Sequence, residues 1–161
     1  MFQRNEGNIE CRHENTDKVM AIPYYIPITG YKNEEINTLR LWSAESVGQD
    51  RDDSHYYHDL DHKHSIEQIS GYLYPDDSKY EGKELRLKQQ YFLVSSSMQN
   101  IIKDFKKNHQ KSLKYLPEKV VIQVNDTHPT LAIPELMRIL MDEEHFSWDS
   151  AWEVTTKVIA Y

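Results

Sequence analysis

An α/β fold follows from three observations on this 161-residue sequence. Val120, Val121, Ile122 and Val124 make an apolar run of strand length, Asn125 to His128 make a polar turn, and Ile133, Leu136, Met137 and Leu140 then recur at helical spacing. Strand, turn and amphipathic helix in that order form the unit from which α/β sheets are built, and such sheets bind ligands at the carboxyl ends of their strands. The apolar run predicts a strand covered on both faces in a parallel sheet. Pro129 and Pro134 fit only at or before the first helical turn. The helix then points its electropositive end back at the turn, which favours an anionic or hydroxyl-rich ligand.

The remaining elements follow in chain order. Asn8 to Tyr31 is strand-like, and Pro23 and Pro27 are expected to end the pairing or move it to an edge. Thr38 to Ala44 alternates, with Leu39, Leu41 and Ser43 on one face and Arg40 and Trp42 on the other, as a strand does. Glu45 to His64 carries acids, histidines and small polar residues with almost no aliphatic content, and reads as an exposed connection. Ser65 to Tyr72 reads as a short helix ended by Pro75. Ser78 and Glu81 have the spacing of a capping box. A long helix follows, with Leu87, Tyr91, Val94, Met98, Ile101 and Phe105 on one face, widened by Leu85, Phe92 and Ile102. Because Tyr91 to Val94 is apolar on nearly all sides, this helix is expected between layers. Asn108 to Pro117 reads as a polar loop. A last helix opens at Ser147, with Ser150 and Glu153 as a second capping pair, and carries Trp152, Thr155, Val158 and Ile159. Ala160 and Tyr161 fall mid-pattern without a glycine cap, so the chain is expected to be a piece of a larger protein.

Bulk composition narrows the function classes. With 39% hydrophobic residues and a mean hydropathy of -0.77, the core supply is thin for a self-contained α/β unit covering both faces of its sheet. A formal charge of -7 argues against nucleic acid as a partner, because phosphate backbones require a basic stripe. Cys11 alone excludes an internal disulfide; it reads as a small half-buried thiol in a reducing compartment. The amino terminus lacks a signal-peptide core, and no apolar stretch reaches membrane-spanning length. A soluble cytoplasmic protein without a membrane partner is expected.

Three groups of residues are candidates for chemistry. Asp126 and His128 on the strand-end turn can grip sugar hydroxyls or stabilise developing positive charge in a partly dry cleft; Asn125, Asp126 and Thr127 equally suit capping of the next helix. Asp76, Asp77 and Ser78 before the long helix can line or gate a pocket, and their charges equally suit its macrodipole. His55, His58, His62 and His64, mixed with Asp52, Asp53, Asp59 and Asp61, offer metal ligands; without a cysteine pair or an apolar frame they read as a solvated loop and no metal is expected. There is no glycine-rich phosphate loop and no nucleophile elbow. Lys83, Lys88 and Lys103 read as the solvated face of the long helix rather than as Schiff-base formers.

Long strings carry a more specific signal. Tyr74 to Phe92 (YPDDSKYEGKELRLKQQYF) and Glu118 to Leu140 (EKVVIQVNDTHPTLAIPELMRIL) closely resemble glycogen phosphorylase and its relatives, the α-glucan and maltodextrin phosphorylases. Pro27 to Glu45 (PITGYKNEEINTLRLWSAE) and Ser147 to Tyr161 (SWDSAWEVTTKVIAY) do so as well, in the family's order. The resemblance implies a two-lobed, GT-B-like glycosyltransferase, of which residues 1–161 form part of the amino-terminal lobe: an incomplete sheet with long flanking helices and no complete domain boundary. It implies phosphorolysis of α-1,4-glucan by inorganic phosphate to glucose 1-phosphate, with pyridoxal phosphate acting through its phosphate group. Asp126 and His128 fall on the family's catalytic-cleft motif. Asp77 and Ser78 fall on its mobile gate loop, where many relatives have an asparagine contacting glucose in place of Ser78.

The departures carry expectations too. Tyr25 stands where the family commonly has the aspartate of a PYDxP string. Lys103 and Asp104 replace the two arginines with which animal relatives hold the phosphate of AMP, so no AMP activation is expected by that route. Ser46 to His64 does not follow the family's sequence toward the intersubunit helix of its homodimer. The cofactor lysine has no counterpart here, so no cofactor-binding residue is assigned and the isolated chain is expected to be inactive. A non-catalytic carbohydrate-binding or regulatory module is the alternative function.

Overall fold

The computed structural model describes the backbone of residues 2–5, 8–11, 14–47, 56–109 and 112–161, and the side chains of 14–47, 60–109 and 112–161. The elements in chain order are β1 (Phe2–Asn5), β2 (Asn8–Cys11), β3 (Val19–Thr29), β4 (Ile36–Ser46), α1 (Tyr56–Gly71), α2 (Tyr80–His109), β5 (Ile122–Gln123), α3 (Ala132–Arg138), α4 (Trp148–Val158) and β6 (Ile159–Ala160). A 3₁₀ helix spans Leu113–Glu118, another His128–Leu131, and a π-helical segment spans Ile139–Glu143. The chain is α/β, and the contacts divide it into two compact units, Asp17–Leu93 and Met1–Thr16 with Val94–Tyr161.

In the Asp17–Leu93 unit, β3 and β4 form an antiparallel ribbon paired from Val19–Ser46 to Thr29–Ile36. Pairing runs straight through Pro23 and Pro27, contrary to expectation, and the register explains why. The Ala44 N–H donates to the Ser70 hydroxyl of α1 at 2.9 Å, so it points away from β3 and the Ala21–Ala44 pair exchanges no ladder bonds. Pro23–Trp42, Tyr25–Arg40 and Pro27–Thr38 share its parity. Both proline nitrogens therefore face outward, where no ladder bond is lost. Side chains in such pairs lie closest, and the Arg40 guanidinium sits 4.8 Å from the Tyr25 ring centre and 5.6 Å from that of Trp42. Tyr25 thus meets Arg40 through the face of its ring.

The stretch Glu45–His64 is not a loop throughout: β4 runs to Ser46 and α1 begins at Tyr56, absorbing the short helix expected from Ser65. Periodicity concealed the start of α1, because Ile66, packed to 3% exposure, is the only buried hydrophobic side chain of the helix among the described residues and lies beyond that start. Docking on β4, through Ile66 and the Ser70 bond, holds it instead.

The second unit holds the main core, in which Val94, Met98, Ile102 and Phe105 of α2 pack with Leu113, Leu116, Val124, Leu136, Leu140, Val154 and Val158. The expected α2 face is therefore buried only in its carboxyl-terminal half. Leu87, Tyr91 and Leu93 are exposed, so α2 is not held between layers along the described residues. Leu113 and Leu116 turn the expected polar loop into a 3₁₀ helix capped by Ser112. β5 pairs parallel with β6, and Val124 N–H continues the ladder to the Ala160 carbonyl at 2.9 Å. The parallel direction is as expected; the strand is shorter, and Val121 is exposed rather than covered. Ser147 caps α4 by accepting from the Ser150 N–H. Glu153 does not complete a capping box but pairs with Lys157 at 2.7 Å. The last helix ends at Val158, and Ile159 and Ala160 are strand, not helix.

Candidate functional site

The turn after β5 is pinned at both ends and open between them. Val124 before it and Ala132 after it are buried, whereas Asn125, Asp126, Thr127 and His128 are exposed. Asp126 takes a left-handed backbone with φ of 72°, a conformation that aspartate tolerates better than most residues because its short side chain can bond locally. Its carboxylate does so, accepting from the Thr127 N–H and, at 3.2 Å, from the Thr127 hydroxyl. His128 Nδ1 lies 3.8 Å from the other carboxylate oxygen. Pro129 opens the following 3₁₀ turn, and neither Thr127 nor Leu131 caps a helix with its side chain. The capping alternative is thus not what these residues do. The partly dry cleft is not formed by the described residues either: the Asp126 side chain is 63% exposed and that of His128 46%.

The electrostatics fix Asp126 as an anion. The Thr127 N–H, then the Thr127 hydroxyl, then the His128 charge hold its carboxyl below the ordinary value of 3.8. With the folded-state value depressed, the stabilising contribution is complete above the unfolded value and fades as pH falls through the folded one. Thr127→Val removes only the hydroxyl, so the Asp126 midpoint is expected to rise yet stay below 3.8, the backbone N–H being retained. Carboxyl-carbon NMR titration measures this; an unmoved midpoint would sink the assignment of the hydroxyl.

Asp77 and Ser78 lie in the other unit, on the loop between α1 and α2. The Ser78 N–H donates to the Asp76 carboxylate at 3.0 Å, and this bond, with one from the Ser78 hydroxyl, lowers the Asp76 pKa. Ser78 therefore serves Asp76 and forms no capping box with Glu81. Asp77 is ion-paired with Arg86 of α2. The structure thus brings Asp126 to His128 and ties Asp77 to Arg86, with the two candidate pairs in separate units.

Of the histidine-rich stretch, His62 and His64 lie on α1, while the side chains of Asp52, Asp53, His55, His58 and Asp59 lie outside the described residues. Among the described residues no group of three or more His, Cys, Asp or Glu is placed to hold a metal ion, and no helix is long and apolar enough to cross a membrane. The Cys11 side chain also lies outside the described residues.

Sequence reasoning missed a buried polar network. Ser95 Oγ donates to Glu135 Oε1 at 2.7 Å, Gln99 Nε2 donates to Ser95 Oγ at 2.9 Å, and Arg138 grips Glu135 in a fork at 2.8 and 3.0 Å. These bonds to Glu135 raise the Arg138 pKa above its ordinary value, so the guanidinium stays charged through the neutral range. The available signal was Ser95 at helical spacing within the buried stripe of α2, between Val94 and Met98.

The chain belongs to the carbohydrate phosphorylase family, whose model matches residues 1–161. It is 51% identical to the glycogen phosphorylase of Bacillus subtilis (strain 168) over 157 residues, which is 96% of this chain and 19% of that protein. Identity is 48% to the brain form of Bos taurus and 46% to the muscle form of Oryctolagus cuniculus, each over 158 residues, 91% of this chain and 19% of the relative. The chain thus spans about a fifth of the length of the curated relatives it matches.

Proposed function

We propose that this chain is part of the amino-terminal lobe of a two-lobed, GT-B-like glycogen phosphorylase, which transfers glucosyl units from α-1,4-glucan to inorganic phosphate, giving glucose 1-phosphate in the cytoplasm. Identity of 46–51% across 91–96% of the chain supports this reading. Asp126 supplies a fixed carboxylate and His128 a ring nitrogen on one turn, suited to grip sugar hydroxyls and to balance positive charge on the sugar ring. Asp77 and Ser78 offer carboxylate and hydroxyl from their own loop. Each of the four acts as a contact to glucan rather than as a proton donor.

Pyridoxal phosphate, the family's cofactor, supplies a phosphate group beside the phosphate substrate when bound. The described residues do not fit it: every described lysine is exposed, and a Schiff base requires an enclosed amine. No step is therefore assigned to the cofactor on this chain. Its pocket belongs to other parts of the enzyme, and the isolated chain is inactive; the family homodimer is likewise a property of the whole enzyme.

The test is a hybrid. Residues 17–161 replace the matching segment of the Bacillus subtilis glycogen phosphorylase, and glucose 1-phosphate formation from glucan and phosphate is followed. The hybrid is expected to turn over, and Asp126→Asn within it to lose on the order of 10²-fold in kcat, the scale for removing one preorganised electrostatic group. A correctly folded hybrid that forms no product overturns the reading, as does turnover by the isolated chain. Saturable maltoheptaose binding by the chain with an inert hybrid favours the non-catalytic carbohydrate-binding alternative.

A further inference from the structure

We propose that Arg86 is a positioning residue that clamps the Asp77–Ser78 loop to the first turns of α2 and so sets how these two side chains are presented. The inference rests on the reading above in taking Asp77 and Ser78 as substrate contacts, but the clamp itself stands on geometry.

Gly82, Arg86 and Gln89 are spaced four and three residues apart, so they share one face of α2. Each meets the loop at a different point. Gln89 Nε2 donates to the Tyr72 carbonyl at 2.7 Å, where the loop leaves α1. Gly82 lets the loop backbone pass against the helix: a Cβ there would lie 1.7 Å from the Asp76 carbonyl oxygen. Arg86 takes the Asp77 carboxylate. Between these points the chain passes through a left-handed residue at Tyr74, φ 57°, and closes the Asp76–Ser78 turn on itself.

One helix face is therefore given over to holding this loop. The division of labour is physical. Gln89 and Gly82 fix backbone, whereas Arg86 is the contact that acts on a side chain offered to substrate. Because the pair is half exposed, with side chains 38% and 53% accessible, its grip is strong enough to bias the loop and weak enough to release it.

Hydrogen exchange on the whole chain tests the clamp, comparing peptides from residues 72–79 with residues 94–105 of the α2 body as internal reference. Arg86→Ala is expected to speed loop exchange roughly two- to fivefold, the range an exposed ion pair supports, while the reference is unchanged. Arg86→Lys is expected to recover part of the protection, and the reversed pair Asp77→Arg with Arg86→Asp to recover most of it. Gly82→Ala is expected to speed loop exchange even with Arg86 present, although alanine is the better helix former. Loop exchange at the wild-type rate in Arg86→Ala, equal acceleration of the reference, or no recovery in the reversed pair overturns the proposal. No glucan enters this measurement, so an inert hybrid enzyme sinks the substrate reading alone and unchanged exchange sinks the clamp alone.

Discussion

Glu135→Ala is expected to destabilise the Val94–Tyr161 unit by about 3 kcal/mol, the low end of the cost of breaking a buried ion pair. The Glu135 side chain is 2% exposed and that of Arg138 22%. Removing the carboxylate leaves the Ser95 hydroxyl without its acceptor and takes the fork from Arg138. Two features keep the cost from being higher: Arg138 still reaches Glu143 at 2.9 Å and part of it meets water. Glu135→Gln keeps the volume and an acceptor for Ser95, so about 1–2 kcal/mol is expected from the weakened bond to a charged group. Urea unfolding followed by the fluorescence of Trp148 and Trp152, in a Trp42→Phe background, separates the two. Equal midpoints for Ala and Gln would show that the carboxylate charge, not volume or a neutral acceptor for Ser95, is what Glu135 provides.

Leu140→Ala is expected to cost about 2–5 kcal/mol, the span found for leucine truncation in a core that only partly collapses. Leu140 is fully buried and sits in the π-helical segment, where Glu144 N–H reaches back five residues to the Ile139 carbonyl at 3.1 Å and Phe146 N–H to Leu140 at 2.9 Å. This widened turn swings Leu140 inward beside Ile139, so the backbone has little freedom to follow a shrinking side chain. Leu87→Ala serves as the control. Leu87 is 56% exposed, and its truncation is expected to move stability by no more than about 0.5 kcal/mol. Comparable losses at the two positions would contradict the burial pattern of α2.

That contrast also marks where sequence reading stops. Periodicity correctly located α2 and α3, and it identified the Asn125–His128 turn, because apolar spacing and proline position are local properties. It could not tell Leu87 from Met98, since the two sit on the same helical stripe and differ only in what lies opposite. The start of α1, Tyr56 to His64, was not legible for the complementary reason: the buried isoleucine and the serine bond that accompany its docking both lie in the second half, where Ser65 to Tyr72 already reads as helix. Ser78 misled because the same hydroxyl that suits a helix cap also suits the Asp76 carboxylate two residues away. At the site, the residue types were legible and their fixing was not. Nothing in the string NDTHP announces the left-handed aspartate, and nothing in the spacing from Asp77 to Arg86 announces an ion pair.

The outward prolines of β3 and the Ser70 bond to Ala44 have a joint consequence for how this ribbon behaves among other chains. Each long border of a hairpin is ordinarily a template on which a stranger can dock and polymerise. Here one border lacks amide donors at Pro23 and Pro27, and the other has one of its donors already spoken for by α1. The hairpin can show the apolar side chains of Tyr24, Ile26, Leu39 and Leu41 on its flat side while resisting the sideways growth that seeds fibrils.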